Sequence, residues 1–191
     1  MPPRIVPIPP REWPEEMRTA LAALRPPGAA NTFPTSEGRP KAMNWLGTLA
    51  HHPELALAFN TFGAHILGSS SLTARQRELL ALRVAAVRHS EYEWTQHALR
   101  ADDFGFTPSE IARIAEGAKA PGWSEIDGAM VSAVDELIKS GDIAERTWDL
   151  LATKFNNQQL MDFVFTVGMY ELLALAFRSF RLKLDDDLKP K

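Results

Sequence analysis

The 191-residue chain is 45% hydrophobic and 24% charged, long and apolar enough for one globular domain with a sizeable core. A formal net charge of -3 and a pI near 6.0 provide no basic stripe to neutralise phosphates, so nucleic-acid binding is not expected. The chain has no cysteine, which excludes disulfides, zinc-thiolate centres and any chemistry that runs through a thiolate.

Ten of the fourteen prolines stand in the first forty residues. Residues 1–40 therefore read as an arm and linker, and 41–191 as a helical domain. Within the arm, 1–14 should run extended, 14–24 should form a short helix and 25–40 an irregular link. Ile5, Val6, Ile8 and Trp13 give it apolar anchors, so it should wrap its own domain or reach a neighbouring subunit. The opening MPPRIVPIPPREW lacks the apolar stretch of a secretory signal, and no later segment offers about 20 uninterrupted apolar residues. The expected location is the cytoplasm, with no membrane contact.

From Ala42 onward helix signals are dense. Pro53 opens a helix expected to reach about residue 67. Thr73 with Gln76, Ser90 with Glu93, and Thr107 with Glu110 each have capping-box spacing, the last with Pro108 at the first helical position. Gly117 and Gly141 read as helix stops. Further helices are expected over 125–139, 144–154 and 157–180. No segment alternates as a strand would, so the fold class is all-α. The last helix is apolar at Leu160, Val164, Val167, Leu173, Ala174 and Phe177, widened by Phe163, Phe165 and Tyr170. That exceeds one amphipathic contact, and implies a central helix or one shared with another subunit.

The candidate chemistry lies between Thr73 and Gly105. From Leu79 to Val87 only Arg83 is polar, so this helix should be buried on most sides, and a charged Glu78 at its start needs a partner. Glu93 and His97 stand one turn apart on one face of the next helix. A short turn near His89 would bring the two helices antiparallel, setting Glu78 beside an imidazole with a second carboxylate nearby, a set able to move protons. Read singly, Glu93 closes a capping box, Glu78 is a solvated side chain and His97 a bonded core residue. Arg83 cannot shed its charge and needs a carboxylate, from the protein or from an anionic substrate. Tyr92 and Trp94 diverge by about 200° around a helix, and Tyr92 is the one expected to offer a pocket hydroxyl. Tyr170 is a second candidate hydroxyl. His65 is either a helix C-terminal partner or a further group in the same cavity. His65, Glu78, Glu93 and His97 together have the elements of a metal site, but match neither His-Glu-x-x-His nor Glu-x-x-His spacing. No metal or cofactor is expected.

Taken in order, Glu78, LALRVA, Tyr92-Glu93-Trp94, His97 and FGFTPSEIARIAEG resemble the carboxymuconolactone decarboxylase family, whose fold is shared with the alkyl hydroperoxidase D (AhpD) proteins, over about 43–184. In the family's peroxidase branch a glutamate precedes a Cys-x-x-Cys helix with a histidine four residues after the second cysteine. Matched on His97, the cysteine positions are Ser90 and Glu93, and the glutamate is Glu78. The resemblance thus implies the thiol-free, decarboxylase-like branch: an AhpD-like helical bundle, a symmetric homo-oligomer such as a dimer or trimer, and no thiol peroxidase activity.

These readings converge on a cofactor-independent lyase, decarboxylase-like or retro-aldol-like, acting on a small anionic or aromatic-derived metabolite. Glu78, Glu93 and His97 are its expected catalytic residues, with His65, Arg83, Tyr92 and Tyr170 around the substrate. The competing expectation is a non-catalytic oligomeric binding or scaffold protein that kept the fold without its thiols.

Overall fold

The computed structural model describes residues 1–24 and 42–188, so the expected link over 25–40 lies outside the described residues. Among the described residues the chain is all-α: α1 (Met17–Ala23), α2 (Met43–Leu49), α3 (Pro53–Ala64), α4 (Ala74–Val87), α5 (Glu91–Ala98), α6 (Pro108–Glu116), α7 (Glu125–Ser140), α8 (Glu145–Ala152) and α9 (Asn157–Phe180). Two compact units divide it, one of residues 1–70 with 177–191 and one of 71–176.

In the first unit, Met17 and Ala20 of α1, Leu49, Ala50 and Ala56 form a buried cluster, with Ile8, Trp13, Trp45 and Phe59 packed against it. The proline-rich start wraps this unit. Ile8 N–H donates to the Gly47 carbonyl at 3.0 Å, and the Trp13 indole donates to the Ile8 carbonyl at 2.7 Å. A β-carbon on Gly47 would meet the Ile8 carbonyl oxygen at 2.6 Å, so the strap can lie this close only over glycine. The helix expected over 53–67 is α-helical to Ala64 and continues as a π-helical turn, His65–Ser69.

The second unit is built around α4, which packs against α5, α6 and α7. Leu79, Leu80, Leu82 and Val84 of α4 are fully buried, as are Ile114 of α6, Met130, Val131 and Val134 of α7 and Leu151 of α8. Each such side chain contributes on the order of 1.5–3 kcal/mol as an upper estimate, and this, not amphipathicity, explains a helix apolar all round. Its start is fixed by the complete Thr73–Gln76 capping box. At its end, Arg88 Nε donates to Glu171 of α9 at 2.7 Å, and His89 turns the chain into α5 with φ of 50°. The start of α8 is held by Glu136 of α7, whose carboxylate accepts from Ala144 N–H at 2.9 Å and the Thr147 hydroxyl at 2.8 Å.

By length and hydropathy α9 could span a bilayer, but 56% of its most apolar window is buried within the protein. It reads as a core helix. The exception is one face, on which Met161, Val164, Phe165, Leu172 and Leu175 are exposed.

Candidate active site

The geometry of α4 and α5 sets one hydrogen bond at the centre of the site. The turn at His89 folds α5 back along α4, and His97, in the last turn of α5, meets Glu78, in the first turns of α4. His97 Nδ1 lies 2.8 Å from Glu78 Oε1, with the side chains 10% and 4% exposed. An imidazole donating from Nδ1 to a carboxylate presents the lone pair of Nε2, so the pair is arranged to accept a proton there and stabilise the resulting cation. Tyr170 of α9 stacks edge-on to the His97 ring, with centroids 5.1 Å apart and planes at 85°. Complete burial raises the Tyr170 hydroxyl well above the ordinary phenol range, and the charge of Glu78 raises it further.

Glu93 occupies a different environment one turn earlier. It is 2% exposed, and neither carboxylate oxygen has a hydrogen-bond partner among the described residues. Burial holds its carboxyl well above the ordinary range; the nearby Ser90 hydroxyl lowers it and the like charge of Glu171 raises it. The site therefore holds two unlike carboxyls: Glu78, hydrogen-bonded to an imidazole, and Glu93, buried and raised above the ordinary carboxyl range. Environments that separate two carboxyls in this way are how acid and base roles are divided in a dry site. The Ser90 hydroxyl and Thr166 Oγ1 are likewise buried without a partner among the described residues.

The expected Ser90–Glu93 capping box does not form. Both side chains are turned inward and buried, instead of closing on the exposed helix start. The carboxylate on His97 Nδ1 is that of Glu78. Of the two partners open to Arg83, a protein carboxylate or an anionic substrate, the structure shows the protein one. Arg83 Nε and Nη2 grip Asp135 at 2.6 and 2.9 Å, and Nη1 donates to the carbonyls of Ile114 and Ala115 at 2.9 and 3.1 Å. Gly117 leaves room for this guanidinium, because a β-carbon there would lie 2.6 Å from Nη2. Tyr92 is buried and Trp94 half-buried on α5, while His65 is exposed and belongs to the first unit.

Two residues around Glu78 were not picked out by the sequence reading. Arg77 donates to the Leu72 carbonyl, and burial lowers its guanidinium against the opposing fields of Tyr170, Glu78 and Asp162. Arg100 Nη2 stands 3.8 Å from Glu78 Oε2. Arg100 lies just past the end of α5 (Glu91–Ala98), so helical spacing from His97 did not single it out.

The architecture is that of the AhpD-like helical proteins. The chain aligns over 100% of its length with 100% of an uncharacterised peroxidase-related protein, an alkylhydroperoxidase AhpD core, from Ralstonia eutropha JMP134, with a TM-score of 0.74 at 19% identity. The debrominase Bmp8 aligns with a TM-score of 0.73 at 11% identity, covering 96% of this chain and 93% of that one. A variant of Bmp8 in complex with 2,3,4-tribromopyrrole gives 0.73 at 13% identity, over 98% and 95%. No curated protein matches the sequence. Residues 53–136, which carry Glu78, Glu93 and His97, match the carboxymuconolactone decarboxylase family.

Proposed function

We propose that the protein is a cofactor-independent lyase that breaks a carbon–carbon bond in a small anionic or aromatic-derived metabolite. The observation that carries this reading is the buried 2.8 Å Glu78–His97 pair, with a second buried carboxyl, Glu93, one helical turn before His97. Loss of carbon dioxide from a carbon next to an electron sink leaves an electron pair on that carbon, which must then take a proton. Glu93 is suited to give it, and His97 with Glu78 to relay the replacement. In a retro-aldol release the same set works in sequence: His97 takes the hydroxyl proton as the bond to the departing aldehyde breaks, and the carbanion is protonated. With a turnover assay in hand, His97→Ala and Glu78→Gln should each lower kcat by about 10²- to 10⁴-fold with the helical circular-dichroism spectrum retained. Wild-type turnover in either variant sinks the relay.

The protein is further proposed to act in the cytoplasm as a homo-oligomer, with α9 as a contact between copies. Its exposed apolar residues Met161, Val164, Leu172 and Leu175 cover a stripe about 80° wide. They are spaced symmetrically about Gly168, at which an added β-carbon would meet nothing within 4 Å. A stripe that reads alike from both ends can pair antiparallel with itself across a two-fold axis, with the glycines at the closest approach. Light scattering should give a multiple of 21.3 kDa, and Gly168→Glu should shift the population to monomer. A wild-type protein of one chain's mass at all concentrations overturns the proposal.

A further inference from the structure

We infer that Arg100 is the residue that recognises the anionic group of the substrate, a carboxylate, beside the Glu78–His97 pair. The inference rests on the enzymatic reading above for the chemistry it serves, but its own basis is the unfilled fork of this one arginine.

The other arginines of the second unit that reach carboxylates are engaged. Arg83 grips Asp135 with two nitrogens, Arg88 grips Glu171, and Arg75 bonds Glu110 at 2.7 Å while reaching Asp127 at 3.5 Å. Arg100 differs. Its Nε is buried with no hydrogen-bond partner among the described residues. Its ion pair to Glu78 Oε2, at 3.8 Å, is too long for a hydrogen bond, and Glu78 already bonds His97 through its other oxygen. The guanidinium lies 5.6 Å from the Phe104 ring, and the side chain is 30% exposed, so a ligand can reach it from solvent.

A buried guanidinium donor left without an acceptor is costly, and a planar fork is filled best by two oxygens of one oxyanion. A carboxylate is favoured over a dianion because one arginine supplies one charge and Glu78 stands next to it.

The test is binding, read without turnover. Benzoate, benzyl alcohol and inorganic phosphate are titrated into the full-length protein, and the arginine Nε–Hε resonances are followed by NMR, with the Arg100 signal assigned by its absence from Arg100→Gln. Benzoate should move that signal, and Arg100→Gln should weaken benzoate binding by about tenfold or more, as expected for loss of a charge-assisted pair. Arg100→Lys, which keeps the charge but not the fork, should fall between. Benzyl alcohol should leave the signal in place, and phosphate should bind more weakly than benzoate. Equal benzoate affinity in Arg100→Gln, no movement of the signal at saturation, or no benzoate binding to the wild type each overturns the assignment, and tighter phosphate binding overturns the carboxylate class. Repeating the titration in His97→Ala separates the two proposals: Arg100-dependent binding there upholds the anion site even if the relay fails. Loss of turnover in His97→Ala with Arg100-independent binding upholds the relay alone.

Discussion

Three helix starts in the second unit carry the same four-residue spacing, and two of them behave differently from the third. At α4 and α6, Thr73 and Thr107 sit in extended backbone with ψ of 157° and 158°, and each closes a complete capping box with Gln76 and Glu110. At α5, Ser90 has ψ of 90° and makes no capping bond. The first two boxes lie at the surface, where a hydroxyl and a carboxyl or amide have no better partner than the backbone. Ser90 and Glu93 are 1% and 2% exposed. Burial has turned a stop-and-start signal into two unpaired polar groups in the interior, at the helix that carries His97. A fold that leaves a carboxyl unpaired there gives up stability, and such concessions concentrate where chemistry is done.

The largest effect that separates these helix starts is the sign of their pH dependence. Glu93 is raised above its ordinary value of 4.5 by burial, then by the like charge of Glu171, against the Ser90 hydroxyl. The folded chain thus keeps a proton that the unfolded chain has released, so the stability contributed by Glu93 is full below 4.5 and is lost as the pH rises toward its folded value. Glu93→Gln, neutral at every pH, should gain on the wild type by about 1.4 kcal/mol per pH unit across that window, measured by urea unfolding from about pH 5 to about pH 8. Glu110 behaves in the opposite sense. The Thr107 backbone N–H, the Thr107 hydroxyl and Arg75 lower it, so Glu110→Gln should be destabilising at neutral pH and should approach the wild type in acid. A Glu93→Gln curve parallel to the wild type would mean that Glu93 is ionised in the folded protein and is no acid reservoir.

Much of this was legible in the chain. The all-α class, the caps at Thr73 and Thr107 and the meeting of Glu78 with His97 follow from local spacing and from a helix with one polar residue in its middle. What spacing does not encode is which partner a buried group takes. Arg83 had two candidate partners, a protein carboxylate or a substrate, and only the fold shows Asp135 on α7 already in its fork. Glu93 reads in the sequence either as a cap or as a catalytic carboxyl, and it does not cap α5, because its side chain is buried. Arg100 lies just past α5, where it escapes a reading by helical faces. Its significance is a missing bond, and no sequence pattern shows a missing bond.

The smallest expected effect sharpens the comparison most directly. Thr107→Ala removes a hydroxyl that accepts from the Glu110 N–H at 3.3 Å and bonds the Glu110 carboxylate at 2.8 Å, and should cost about 1 kcal/mol, the usual loss for a threonine cap. Thr73→Ala should cost a similar amount. Ser90→Ala has the same position in the motif, yet removes a buried hydroxyl that makes no capping bond and has no partner of hydrogen-bonding geometry among the described residues, acting on Glu93 only as a nearby dipole that lowers its carboxyl, so it takes away a desolvated polar group and no well-formed bond. Its cost should lie within about 0.5 kcal/mol of zero. Chemical denaturation of the three variants under one set of conditions decides the matter. If Ser90→Ala loses as much as Thr107→Ala, the serine caps α5 in solution, Glu93 has a hydrogen-bonded neighbour, and the case for an unpaired acid beside His97 fails with it.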